Sequence, residues 1–150
     1  MTSFPDTSFL CAIYRMQENS PQAAAFFAAM SEPLEVTTLL LYEFRQSVRF
    51  QLRLHRKDAT KGFPKPVAVR MLADLKADLV NGAVILSPAP WPQVHAAAER
   101  LSELYTEANG HRSMDILHVA TALEVGARKF LTFDRNQKIL AESEGLRVPF

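Results

Sequence analysis

One cysteine, Cys11, stands in a chain of 150 residues, so no intramolecular disulfide and no thiolate metal cluster can form. That fits a reducing, cytoplasmic home. Nowhere does an uncharged apolar run reach the roughly 18 residues that a membrane span requires. The first ten residues hold Asp6 and no Lys or Arg, without an apolar stretch of signal-peptide length. His55, His95, His111 and His118 show neither H-E-x-x-H nor any His/Cys spacing for zinc. Repeats, low-complexity tails and linkers to a second domain are missing as well. Net charge is nearly absent, at +1, but a small sum can hide an uneven distribution. It does so here, because eight of the 17 Lys and Arg lie between Arg45 and Arg70 with Asp58 the only acid among them.

What is present is 48% hydrophobic residues, enough for one sizeable core, so residues 1–150 read as a single domain. Pro5 limits the opening segment to a very short strand, since it lacks the N–H that a central strand would use. A helix over Ser8–Met16 follows, then a second one capped by Ser20 with Pro21 behind it. Leu34–Thr37 reads as a strand, with Thr37 or Thr38 capping a long helix in which Leu40, Phe44 and Val48 recur at helical spacing. Further helices are expected over Val67–Val80, Pro92–Ala108, Met114–Val125 (capped by Ser113) and Gln137–Ser143. Strands are expected at Ala83–Leu86, Lys129–Phe133 and Arg147–Phe150. Short apolar strands alternating with helices give an α/β fold with a mostly parallel sheet covered on both faces.

In such sheets the reactive crevice lies beyond the carboxyl ends of the strands. Asp6 follows the first strand and Asp134 the strand KFLTF, while Asp115 opens a helix at that edge, where the helix dipole favours its charge. Glu43 lies early in the long helix, its stem beside apolar packing. Four carboxylates brought together repel one another and raise each other's pKa unless a hard cation neutralises them. Mg²⁺ or Mn²⁺ suits such an oxygen-only set. Arg45, Arg49 and Arg53 recur every four residues with Arg56 three later, a stripe beside Glu43 that could track phosphates or equally be a solvated or protein-binding side. Arg135 beside Asp134 is a further candidate for phosphate. The packing role is the expectation for His118, three residues after Asp115.

At these residues the chain resembles the PIN domain family, particularly the VapC-like toxin ribonucleases of bacterial type II toxin–antitoxin pairs. The resemblance rests on PDTSFL at Pro5–Leu10, LLLYEFRQSV at Leu39–Val48, SMDILHVATALEVGA at Ser113–Ala127 and LTFDRNQ at Leu131–Gln137. It implies a three-layer α/β/α sandwich around a sheet of order 3-2-1-4-5. It further implies metal-binding and catalytic roles for Asp6, Glu43, Asp115 and Asp134, with Asp6 and Asp115 as direct ligands and the other two direct or water-mediated. Ser8 corresponds to the small polar residue that orients the first acid, and Thr132 would support the loop of Asp134. The activity implied is Mg²⁺- or Mn²⁺-dependent endoribonuclease cleavage leaving a 5′-phosphate and a 3′-hydroxyl, with one or two ions. Homodimers and inhibition by a cognate antitoxin protein are implied too.

Pro5 departs from the family, whose members usually have an apolar residue there, and the polar, glycine-interrupted stretch His55–Lys65 leaves substrate choice open. A DNA-directed nuclease, or a catalytically inactive RNA-binding regulatory module, are the alternatives. The four acids argue against inactivity.

Overall fold

The computed structural model describes residues 3–150 and contains, in chain order, β1 (Ser3–Pro5), α1 (Thr7–Tyr14), α2 (Ser20–Ala28), β2 (Leu34–Val36), α3 (Thr38–Lys57), α4 (Lys65–Asn81), β3 (Val84–Leu86), α5 (Trp91–Asn109), α6 (Ser113–Glu124), β4 (Lys129–Leu131) and α7 (Arg135–Ser143). The architecture is the α/β one expected, with short strands that all pair in parallel. The chain divides into two compact units, one made of the described residues up to Phe9 with Ser87–Phe150, the other of Leu10–Leu86.

In the first unit β1 pairs with β4 through Ser3↔Lys129, Phe4↔Phe130 and Pro5↔Leu131. The ladder continues with Asp6 N–H donating to the Leu131 carbonyl at 3.0 Å. Residues alternate in the side to which their backbone groups point, so Pro5, next to Asp6, carries its missing donor on the side of β1 away from β4. The pairing with β4 therefore loses no bond to the proline. Phe4 and Phe130 are fully buried and stack at 6.4 Å. Buried Val94, Ala97 and Leu101 recur at three and four residues along α5, which thus buries one stripe. Ile116, Val119, Ala120 and Ala122 are buried around much of α6, the mark of a helix inside a core rather than on it.

In the second unit β2 pairs with β3 through Leu34↔Val84, Glu35↔Ile85 and Val36↔Leu86. Thr37 caps α3, its hydroxyl accepting from Leu40 N–H at 3.3 Å, and Leu40, Leu41, Phe44 and Val48 form the buried face. His55, Arg56 and Lys57 in the last turn complement the negative end of the helix dipole. The return to α4 passes through Gly62, whose backbone has φ +58° and lies so close to α3 that a Cβ there would stand 2.0 Å from the Gln51 carbonyl oxygen. Tyr14 donates to Asp78 at 2.9 Å, tying α1 to α4.

Several boundaries differ from the sequence expectations. In the helix expected to be capped by Ser20, Asn19 takes the N-cap place without a side-chain cap bond, and the Ser20 hydroxyl is engaged by the Arg15 carbonyl and Gln17 N–H. Arg112 rather than Ser113 takes the N-cap place of α6, and no side chain caps it. β4 stops at Leu131, and α7 starts two residues early because Asp134 caps it. The expected terminal strand is reduced to one parallel bridge, Lys129↔Arg147.

Candidate functional site

Asp6, Asp115 and Asp134 belong to the first unit, and one continuous polar network joins them. Asp6 follows β1 and is fully buried. Its Oδ1 accepts from the Ser8 hydroxyl at 2.7 Å and from Phe9 N–H at 2.9 Å, and its Oδ2 accepts from the Thr132 hydroxyl at 2.6 Å and the Gln137 amide at 2.9 Å. A carboxylate offers about four lone-pair sites, so neutral donors fill all of them. Burial nevertheless dominates and pushes the Asp6 pKa up to about 6, against the lowering influence of Thr132, Ser8, Phe9 N–H and His118.

Two of those donors also hold Asp134. The Thr132 hydroxyl accepts from Asp134 N–H at 2.9 Å, and Gln137 N–H donates to Asp134 Oδ1 at 2.9 Å. Asp134 thereby caps α7, while Gln137 sends its side chain back to Asp6. Ser8 completes the loop by accepting from Phe133 N–H at 2.8 Å. The rings of Phe9, Phe133 and Phe150 stack at 4.6–6.2 Å beside these turns.

Asp115 lies in the first turn of α6 and is only 4% exposed. Arg112, one turn earlier, donates to it twice, from Nε at 2.8 Å and from Nη2 at 3.3 Å. The same Nη2 lies 3.7 Å from Asp134 Oδ2. One guanidinium therefore spans two acids from different elements, standing where a cation between them would be. Its own side chain is 74% exposed.

This donor set fits a hard divalent cation, on two observations. Asp115 and Asp134 already converge on one positive group. In addition, the buried Gln137 Oε1, whose amide also serves Asp6, has no hydrogen-bond donor among the described residues, and a cation's water shell would supply one. A ready-made group of three or more ligands does not exist among the described residues. Asp6 accepts from four neutral donors and Asp115 from Arg112.

The remaining candidates are placed as follows. Glu43 is half-buried on α3 of the second unit, in the helix expected. Arg49 and Arg53 are exposed on α3, Arg45 is half-buried, and Arg135 is exposed at the start of α7. The stripe is not beside Glu43. At about 100° per residue, Arg45 and Arg49 project about 160° and about 120° from Glu43, because spacings of two and six residues carry a side chain far around a helix. His118 is fully buried. Sequence reasoning missed Arg112 and Gln137. The D-x-x-Q spacing of Asp134 and Gln137, akin to a capping box, was the available signal for the second.

The PIN domain profile matches residues 3–143. Among solved structures, the crystal structure of VapC20 from Mycobacterium tuberculosis, described as a sarcin–ricin loop cleaving toxin, matches with TM-score 0.66 and 18% identity over 97% of either chain. No curated protein sequence shows a significant match.

Proposed function

The chain belongs to the PIN domain family, and from that premise we propose that it is a Mg²⁺- or Mn²⁺-dependent endoribonuclease, the toxin of a type II toxin–antitoxin pair restrained by a cognate antitoxin protein. The carrying observation is Arg112 spanning Asp115 and Asp134, two carboxylates poised around a positive charge. The likeness of the fold to VapC20, described as a sarcin–ricin loop cleaving toxin, supports RNA as the substrate. In this reading one nuclease domain fills residues 1–150, the protein works as a cytoplasmic homodimer, and no membrane is involved; no helix among the described residues is long and apolar enough to cross one.

In this reading Asp6, Glu43, Asp115 and Asp134 would hold the ion, directly or through water, with Asp6 giving up one of its present hydrogen bonds to do so. When bound, it neutralises charge developing on the phosphoryl oxygens and eases deprotonation of the attacking water. The chain's own groups do the positioning. Asp6 is locked by Ser8, Phe9 N–H, Thr132 and Gln137 in one orientation, and with a pKa of about 6 it is ionised at neutral pH. Asp134 is held by Thr132 and by the first turn of α7. Arg112, whose side chain is largely exposed, and the exposed Arg135 would reach the phosphate. Water attacks phosphorus in line, the P–O3′ bond breaks, and the products are a 5′-phosphate and a 3′-hydroxyl.

The test incubates purified, antitoxin-free protein with structured RNAs in Mg²⁺, Mn²⁺ or EDTA, beside Asp6→Asn and Asp115→Asn variants. Cleavage should require the metal and vanish in both variants. Cleavage that survives both substitutions removes the assigned site, and strict preference for DNA reverses the substrate class.

A further inference from the structure

The exposed side of α3 gathers its cations into one row. Elsewhere in the second unit Lys61 pairs with Asp58 at 3.4 Å and Arg70 with Asp74 at 3.0 Å, while the exposed Lys57, Lys65 and Lys76 stand apart without an ion pair among the described residues. Arg45, Arg49, Arg53 and Arg56 form no ion pair and no side-chain hydrogen bond among the described residues. On a helical projection the four fall within about 80° of one another, over about 16 Å of helix. Tyr42 projects into the same arc one turn before Arg45, and it is 61% exposed. The single acid of α3, Glu43, lies outside that arc, as does the buried face of Leu40, Leu41, Phe44 and Val48.

Four like charges left unpaired on one helix repel one another, which favours an anionic partner that neutralises them in a row. Planar guanidinium forks suit phosphate oxygens. An acidic peptide with an apolar residue could satisfy the charges and cover the ring as well, and the ribonuclease reading is what favours RNA over it. A strand of RNA satisfies both, because its backbone meets the arginines and an unstacked base lies on the ring.

We propose that the face of α3 built from Tyr42, Arg45, Arg49, Arg53 and Arg56 is an RNA-binding exosite. It takes a single-stranded or looped segment, with the arginines on successive phosphates and Tyr42 stacked on a base. The choice of RNA rests on the ribonuclease reading. The face points away from Glu43 on its helix, and a short RNA that misses it is bound less tightly.

The test measures binding of a fluorescent RNA hairpin with an unpaired loop, and of its DNA counterpart, by anisotropy in EDTA across a KCl series. The chain is used whole, as wild type, Arg49→Ala/Arg53→Ala, Tyr42→Ala and Tyr42→Phe, with circular dichroism confirming folding of these surface variants. The double variant should bind more weakly, with a plot of log K against log salt shallower by about 1.4, about 0.7 for each lost contact to a single strand. Tyr42→Ala should weaken binding roughly 5- to 100-fold without altering that slope, and Tyr42→Phe should retain affinity. Unchanged RNA affinity and slope overturn the proposal, as does equal binding of DNA, or loss of binding only to an acidic polypeptide such as polyglutamate. Restoring Mg²⁺ reads cleavage separately: RNA binding that depends on α3 without any cleavage sinks the nuclease reading and leaves the exosite standing.

Discussion

Arg112 holds Asp115 with two hydrogen bonds, 2.8 and 3.3 Å long, across one turn at the start of α6. The acid is almost wholly buried and the arginine largely in solvent. Under the proposed function, this pair is the covalently tethered alternative to a metal ion.

Replacing Arg112 by Ala leaves that buried carboxylate short of two donors, which should cost roughly 1–3 kcal/mol in metal-free buffer. Mg²⁺ should then restore more stability than it adds to wild type, since no guanidinium competes for Asp115 and Asp134. Thermal melts of both proteins with EDTA and with Mg²⁺ check this. A metal-induced shift in the variant no larger than in wild type would count against the competition.

Asp6 sets a pH dependence of opposite sign to that of a salt-bridged acid. Its pKa rises from 3.8 to about 6 on folding, so between those values the folded state binds more protons than the unfolded one. Stability from this group is complete below about pH 4 and is lost as pH rises through about 6, by about 3 kcal/mol at the upper bound for a two-unit shift. Asp6→Asn removes the dependence. Urea titrations of both proteins at pH 4.5 and 8 should give a variant that gains on wild type at the higher pH; a gap that stays constant contradicts the burial of an ionisable Asp6.

Asp134 serves α7 as its cap while facing Arg112. Asp134→Asn keeps a good capping side chain and removes the charge, whereas Asp134→Ala removes both and should lose about 1 kcal/mol more. Neither variant should show the full stabilisation by Mg²⁺. Equal stability of Asn and Ala variants in EDTA would mean that the bond from Gln137 N–H contributes nothing.

Of the two glycines in the second unit, Gly62 is the one that lies against another backbone. With φ +58° and a Cβ position 2.0 Å from the Gln51 carbonyl oxygen, Gly62→Ala must move the α3–α4 connection, at a cost of at least about 2 kcal/mol. The chemical denaturation midpoint reports it, and a variant within error of wild type would show that the loop can step aside.

The elements that the sequence announced are those with a strong local signal. Thr37 before LLLYEF, the leucine and phenylalanine spacing of α3, and the acids behind β1 and β4 all lie where their patterns put them. What escaped was decided by partners distant in sequence. Gln137 reads as an ordinary helix residue until Asp6, 131 residues away, is seen accepting its amide. Arg112 has no local pattern that distinguishes it from a surface arginine, and only the fold brings Asp134 to its other side. Ser20 and Ser113 have capping chemistry but not the position: the Ser20 hydroxyl goes to the Arg15 carbonyl, and Arg112 stands in the N-cap place of α6. The arginine stripe was visible as a count, and its direction relative to Glu43 needed the helix rather than the spacing of four.

The unpaired arginine face of α3 also bears on how the protein behaves on a column. A chain with formal charge +1 would ordinarily pass an ion exchanger near neutrality with little delay. A contiguous acid-free row of guanidinium groups makes retention follow the local field instead of the sum. The protein should therefore elute from heparin much later than its net charge suggests, and leave the cell lysate carrying ultraviolet-absorbing nucleic acid that only high salt removes.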